Sequence, residues 1–181
     1  MIDKIFLSTD DGFFNDKIPS DVEIIQRKGK FIDDHSSVIE LLSWHQKNQL
    51  KDFDIIFQIF THSILIDGLV IKNALDFSQS SDFERTISIA ELPVPVEWTY
   101  KMNNSKLESI FPNGELIRSQ DLGKSFYDAG QFYIYKKSWF NSGNSPSQNG
   151  YLLPRFHGVD LDYDEDINDL ELLYKLTKFQ K

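Results

Sequence analysis

The sequence contains no cysteine, and this absence removes several kinds of chemistry at once. Disulfide bonds, metal sites built on thiolates and a cysteine nucleophile are all excluded. The first residues do not combine a basic start, an apolar run and small residues in the manner of a signal peptide. The longest apolar run is also far shorter than a membrane span requires. We therefore expect a cytoplasmic protein without a membrane partner.

The motifs of several common enzyme classes are absent as well. The sequence has no G-x-S-x-G nucleophile elbow, no P-loop and no G-x-G-x-x-G motif. Its histidines are scattered, and none has a zinc-binding spacing such as H-E-x-x-H. Each histidine is expected to be structural or on the surface, with His62 the one near the expected cleft. Hydrolase and dehydrogenase functions therefore have no support.

Positive charge is scarce, because the sequence has 19 Lys and Arg residues and 28 Asp and Glu residues, which gives a net charge of -9. Nucleic acids and anionic membranes are bound through clustered Lys and Arg, so we expect neither as a partner. A chain of 181 residues that is 40% hydrophobic can bury one ordinary core. We expect a single domain over residues 1–181.

The first half of the chain alternates between strand and helix patterns. Short apolar runs predict strands at residues 4–8, 23–26, 54–60 and 85–90. Ser37 and Glu40 form a capping-box signature for a helix that ends at Gln49. Helical spacing predicts a second helix from Asp67 to Phe77. This order predicts an α/β fold, a mostly parallel sheet flanked by helices.

The second half of the chain is richer in turn signals. Asn103-Asn104 and Asn113-Gly114 are typical of turns and hairpins, and we read residues of about 93–117 as a hairpin. Residues 141–150 are rich in Asn, Ser and Gly, and they are expected to form only a flexible loop.

Asp160 and Asp162 are the most distinctive acidic pair. On an extended segment, side chains two residues apart point to the same side. Two carboxylates on one side suit Mg²⁺ (or Mn²⁺), which completes its shell with water and phosphate oxygens. Alternatively, residues 160–166 are an acidic start of the last helix, in which Asp164 caps and Glu165 favours the positive end of the dipole. The residues alone favour this second interpretation.

Residues 118–133 read R-S-Q-D-L-G-K-S-F-Y-D-A-G-Q-F-Y, and they are followed by P-R at 154–155 and D-L-D at 160–162. This combination resembles the second half of the sugar-acid cytidylyltransferases, which activate sialic and pseudaminic acids as CMP-sugars. The segment that starts at Asp128 is more similar to the pseudaminic acid branch. The resemblance implies a Rossmann-like fold of the nucleotide-diphospho-sugar transferase type. It also implies a homodimer to which residues 93–117 contribute a projecting arm.

The resemblance further implies a sugar-acid pocket. Its residues would be Arg118, Gln120, Asp128 and Gln131. A guanidinium suits the acid group of the sugar, and amides or carboxylates suit its hydroxyls. Gly130 would let the backbone approach the ligand closely. The alternative for this stretch is a hairpin strand with a glycine bulge.

The metal and the nucleotide are the other implied ligands. The resemblance favours the metal interpretation, in which Asp160 and Asp162 hold Mg²⁺ or Mn²⁺ on the triphosphate of CTP and carry the catalysis. Weaker matches upstream point to Arg27 and Ser36 as contacts in the substrate pocket. The implied reaction joins CMP to the anomeric hydroxyl of a 2-keto nine-carbon sugar acid and releases pyrophosphate.

Two departures from the family pattern leave alternatives open. The P-A-R-x-G-S-K segment that holds the CTP phosphates is not present, and the segment after residues 54–60 lacks most of Q-P-T-S-P-L-R. We therefore expect this chain alone not to form a CMP-sugar at a useful rate. One alternative is a truncated, non-catalytic homologue that binds a sugar acid or serves as a partner subunit. Another is a nucleotide-sugar glycosyltransferase, whose D-x-D motif also binds a metal.

Overall fold

A computed structural model describes residues 2–14, 16–32, 36–142, 147–161 and 163–179. The chain divides into two compact units, and the boundary lies between Asp54 and Ile55. In the described part of the chain, no helix has the length and apolar character needed to cross a membrane. The expectation of one domain over residues 1–181 stays a prediction.

The first unit combines a two-stranded sheet with one helix. Strands β1 (Ile5–Thr9) and β2 (Val22–Gln26) pair in parallel, and helix α1 (Val38–Asn48) follows them. The predicted capping box is confirmed, because the Ser37 side chain accepts the Glu40 N–H and the Glu40 side chain accepts the Ser37 N–H. Leu42 and His45 lie on the buried face of α1.

The second unit contains the other strands of the described chain: β3 (Ile55–Ile59), β4 (Arg85–Glu91), β5 (Tyr100–Asn103), β6 (Lys106–Ser109), β7 (Phe126–Lys136) and β8 (Gln148–Leu152). Helix α2 (Gly68–Gln79) lies between β3 and β4 in the chain, and helix α3 (Asp164–Phe179) follows β8. Asp67 caps α2, because its side chain accepts the N–H groups of Leu69 and Val70. Every strand and helix predicted from sequence up to residue 90 is present.

The main sheet has the strand order β3-β7-β4-β8. Strand β7 is antiparallel to both of its neighbours, whereas β8 is parallel to β4. Three of the four strands therefore run in one direction, as expected for a Rossmann-like α/β fold. Val70 and Ala74 of α2 pack on Phe132 and Ile134 of β7, so the core lies between this helix and one face of the sheet.

The predicted hairpin within residues 93–117 is present as β5 and β6. These strands are antiparallel, and Asn104 and Ser105 connect them with positive φ angles of 46° and 68°. That geometry is typical of the two-residue turns that match the twist of a hairpin. The projection of this hairpin as a dimerisation arm stays a prediction.

The loop predicted over residues 141–150 is wrong at its end. Gln148, Asn149 and Gly150 form the start of β8 and pair with β4. The β4 ladder satisfies the backbone of this segment, and local composition carries no sign of that partner. Residues 143–146 of the predicted loop lie outside the described ranges.

Candidate functional site

The candidate site is built on a bulge in β7. Ile87 of β4 pairs with Tyr133, and Ile89 pairs with Asp128, so five steps along β7 oppose only two steps along β4. Gly130 lies in the bulge with a φ of 62°, a conformation that glycine adopts without strain. The glycine bulge that the sequence left as an alternative is therefore present, and it carries two of the predicted site residues.

Buried hydroxyl groups support the bulge from β4 and from the segment that follows β3. The Oγ atom of Ser88, a fully buried residue of β4, accepts the N–H of Gln131 at 3.1 Å and that of Phe132 at 3.0 Å. The Ser63 hydroxyl, which follows β3, donates to the carbonyl of Gln131 at 2.6 Å. The bulge removes these backbone groups from the hydrogen bonds of the sheet, and the two serine hydroxyls replace the lost partners.

Asp128 closes the bulge through both of its carboxylate oxygens. Oδ1 accepts the N–H of Gly130 at 3.0 Å, and Oδ2 accepts the hydroxyl of Tyr133 at 3.0 Å. Burial, together with the hydrogen bond and charge of Asp128, raises the pKa of Tyr133 to about 12, although Arg85 opposes the shift. The Asp128 side chain is still exposed, so its carboxylate is accessible to a ligand.

The chain after β8 returns to the bulge and brings Asp160 to it. The Gln131 side chain is buried, and its Nε2 donates to the carbonyls of Ala129 and Val159, both at 3.1 Å. In Asp160, Oδ2 lies 3.8 Å from the position that a Cβ on Gly130 would occupy. Asp160 is 49% exposed, so one predicted metal ligand lies open to solvent beside the glycine of the bulge.

The segment after β3 contributes His62. Its Nε2 lies 3.1 Å from the carbonyl oxygen of Gly130 and 3.2 Å from Oδ1 of Asp160. Its ring stacks on Phe60, with centroids 5.4 Å apart and planes 4° from parallel. The sequence predicts a structural or surface role for His62. Its position after a strand is the only sequence signal that places it near the cleft.

The predicted sugar residues are not all engaged in the same way. Arg118 pairs with Asp121 through two contacts, Nε to Oδ2 at 2.9 Å and Nη2 to Oδ1 at 3.3 Å. Gln120 is exposed in the short 3-10 helix Ser119–Asp121. Gln131 is buried, and its side-chain Nε2 donates to the carbonyls of Ala129 and Val159. The substrate contacts of these residues stay predictions.

The two remaining predicted residues lie in the first unit. Arg27 follows β2, and it donates from Nη2 to the carbonyl of Ser8 at 2.8 Å and from Nε to the Ser8 hydroxyl at 3.1 Å. That hydroxyl is also 2.8 Å from Nε2 of His45, whose pKa is lowered by burial and by the charge of Arg27. Ser36 donates from its hydroxyl to the carbonyl of Lys30 at 2.5 Å. Arg27 is thus held at the carboxyl end of β1, and neither predicted substrate contact is tested.

Asp160 suits a hard divalent cation, but only as part of a coordination shell. Asp162 lies outside the described residues. Within the described ranges, no cluster of three or more His, Cys, Asp or Glu side chains could hold a metal ion. Mg²⁺ needs only one or two protein carboxylates, because water and substrate phosphates supply the other ligands. The exposed carboxylate of Asp160 fits that mode of binding, whereas a closed zinc site would need more protein ligands.

Comparison with known proteins agrees with the motifs. No protein-family model matches the chain. The chain is similar to two proteins named pseudaminic acid cytidylyltransferase, from Campylobacter jejuni subsp. jejuni serotypes O:23/36 (strain 81-176) and O:2 (strain ATCC 700819 / NCTC 11168). Each is 25% identical over 145 residues, which cover 78% of this chain and 61% of the relative. The chain thus spans less than two thirds of the length of these relatives. Its resemblance to the sugar-acid cytidylyltransferases, on the pseudaminic acid side, is confirmed as a distant relationship.

Proposed function

We propose that this chain supplies the sugar-acid and metal sites of a cytidylyltransferase that activates a 2-keto nine-carbon sugar acid of the pseudaminic acid type. The observation that carries the proposal is the convergence of two carboxylates on one glycine. Asp128 accepts the N–H of Gly130, and Asp160 lies beside the open side of the same residue. The similarity to two pseudaminic acid cytidylyltransferases gives this arrangement its chemical meaning.

In the proposed reaction, the anomeric oxygen of the sugar acid forms a bond to the α-phosphorus of CTP. The bond from that phosphorus to the bridging oxygen of the β-phosphate breaks, pyrophosphate leaves, and the hydroxyl proton is released. Catalysis of this type rests on positioning and on neutralisation of charge. A Mg²⁺ or Mn²⁺ ion held by Asp160 and Asp162 would neutralise charge on the triphosphate.

The charges of the site support the need for a cation. CTP and the sugar acid are both anions, and the chain itself carries a net charge of -9. The exposed carboxylates of Asp128 and Asp160 would repel both substrates unless a divalent cation lay between them. Arg118 is the proposed partner of the sugar carboxylate. Its present pairing with Asp121 is exposed, and exposed ion pairs contribute only about 0–1 kcal/mol, so the exchange of partners costs little.

The hairpin supports the proposed homodimer. Tyr100, Met102 and Leu107 share one face of the β5-β6 pair, and they are 44%, 73% and 61% exposed. Lys101 and Glu108 pair on the opposite face. A two-stranded hairpin with one apolar and one charged face is suited to packing its apolar face on another protein surface. We propose that this surface belongs to a second copy of the chain.

A pyrophosphate-release assay tests the proposed activity. The chain is joined to an N-terminal family segment that carries P-A-R-x-G-S-K, incubated with CTP, Mg²⁺ and pseudaminic or N-acetylneuraminic acid, and compared with the same protein carrying Asp160→Asn. The chain without that segment is assayed beside it. The matched control is Asp169→Asn, which changes an exposed acidic residue of α3. We expect the joined protein to release pyrophosphate only with both the sugar acid and the cation, with a loss of at least about 10-fold in Asp160→Asn alone. The chain without the added segment should show no useful release. Equal release by both variants would contradict the site. Sugar-acid binding without any release would favour the non-catalytic sugar-acid binder.

A further inference from the structure

We propose that His62 is a positioning residue, which fixes the carboxylate of Asp160 so that one oxygen is presented to the metal. The inference rests on the proposed function, because it concerns the same cation. It assigns a role to a histidine that the sequence motifs do not include.

The position of the imidazole proton follows from the two atoms that face Nε2. One is the carbonyl oxygen of Gly130 at 3.1 Å, and the other is Oδ1 of Asp160 at 3.2 Å. Both atoms are acceptors, so Nε2 must carry the hydrogen, which it donates to the Gly130 carbonyl with Oδ1 of Asp160 in contact beside it. His62 therefore acts as a donor at this site, in the tautomer with the hydrogen on Nε2.

This donor distinguishes the two oxygens of Asp160. Oδ1 already accepts the N–H of Leu161 at 2.9 Å, and the imidazole Nε2 lies 3.2 Å from the same atom. Oδ2 faces Gly130, and no hydrogen bond to it is found among the described residues. The carboxylate is thus held by one oxygen and offers the other, as a ligand for a hard cation requires.

The histidine itself is held firmly enough for this role. Its ring is stacked on Phe60, and its side chain is only 23% exposed. The next residue, Ser63, is anchored to the carbonyl of Gln131. The Gln131 side chain in turn donates to the carbonyl of Val159, the residue before Asp160. The loop after β3 and the segment before α3 are therefore tied to the same bulge, and His62 joins them at the carboxylate.

Loss of a residue that orients a metal-binding side chain typically weakens metal affinity by about 10- to 100-fold. Two variants separate this role from simple packing. His62→Gln keeps a side-chain N–H at nearly the position of Nε2 but loses the aromatic stack. His62→Phe keeps a ring against Phe60 but has no donor. Manganese affinity should therefore follow the donor, and not the ring.

The first measurement needs no metal. Long-range ¹H–¹⁵N spectra of the metal-free protein at about pH 8 should show His62 as the Nε2–H tautomer. The other tautomer would overturn the proposal.

The second measurement is a Mn²⁺ titration in the presence of CTP, followed by electron paramagnetic resonance and paired with melting temperatures. We expect His62→Phe to bind Mn²⁺ about 10- to 100-fold more weakly than the wild type, and His62→Gln to stay within about threefold. Equal affinity in His62→Phe and the wild type would overturn the proposal. A parallel loss of affinity and melting temperature in both variants would do the same, and so would nitrogen coupling that shows direct ligation by His62. If the wild type binds no Mn²⁺, the proposed metal site is refuted together with this inference. If the wild type binds Mn²⁺ and the variants bind it with the same affinity, only this inference is refuted.

Discussion

Ser88→Ala is the most informative perturbation of the bulge. The Ser88 hydroxyl oxygen accepts two backbone N–H groups, those of Gln131 and Phe132, and all three residues are at least 99% buried. Alanine fills almost the same space but removes the acceptor. Each buried N–H left without a partner costs about 1–3 kcal/mol, so we expect the loss of both to lower the free energy of unfolding by about 2–6 kcal/mol.

Urea unfolding of the wild type and the variant measures this loss, with Ser138→Ala as an exposed serine control. Hydrogen exchange adds a local readout, because the amides of Gln131 and Phe132 should exchange faster in Ser88→Ala than in the control. A loss of less than about 0.5 kcal/mol, with unchanged exchange at these two amides, would refute the reasoning that Ser88 supports the bulge.

Two further predictions concern pH and assembly. The pKa of Tyr133 is about 12, above the value of about 10 in an unfolded chain, so the stability gained from its neutral form should be complete below about pH 10 and lost as the pH rises through about 12. Ultraviolet titration should show a late step that is missing in Tyr133→Phe and earlier in Asp128→Asn; an unchanged step in Asp128→Asn would contradict this. Met102→Lys should convert a dimer to a monomer in sedimentation experiments, whereas Lys101→Ala on the opposite face should not. A monomeric wild type would refute the proposed interface.

Local sequence signals were sufficient for the strands and helices up to residue 90, but not for the start of β8. The capping box at Ser37 and the Asp67 cap determine where two helices begin, since both depend on neighbours within a few residues. Helical spacing alone does not determine burial in α2, because Leu69 is 61% exposed whereas Val70 and Ala74 are buried. The insertion of β7 between β3 and β4 could not be predicted, because strand order depends on partners that are distant in the sequence.

In the candidate site, too, the sequence identified some residues and missed the roles of others. Asp128, Gly130 and Asp160 were identified from motif residues, and the structure brings them together at the bulge. Ser88 was missed because its role depends on a hydrogen bond across 43 residues of sequence. His62 was named but assigned no role, because its two partners come from β7 and from the segment before α3. Such roles follow from tertiary contacts, which a single sequence does not display.

Titration calorimetry with the sugar acid tests the central claim most directly. With CTP and Mg²⁺ present, the wild type should bind pseudaminic acid saturably and more tightly than N-acetylneuraminic acid. Arg118→Ala should lose this binding, because the carboxylate of the sugar loses its guanidinium partner. Asp121→Asn removes the present partner of Arg118, and it should bind at least as tightly as the wild type. No binding by the wild type, or equal binding by Arg118→Ala, would contradict the account.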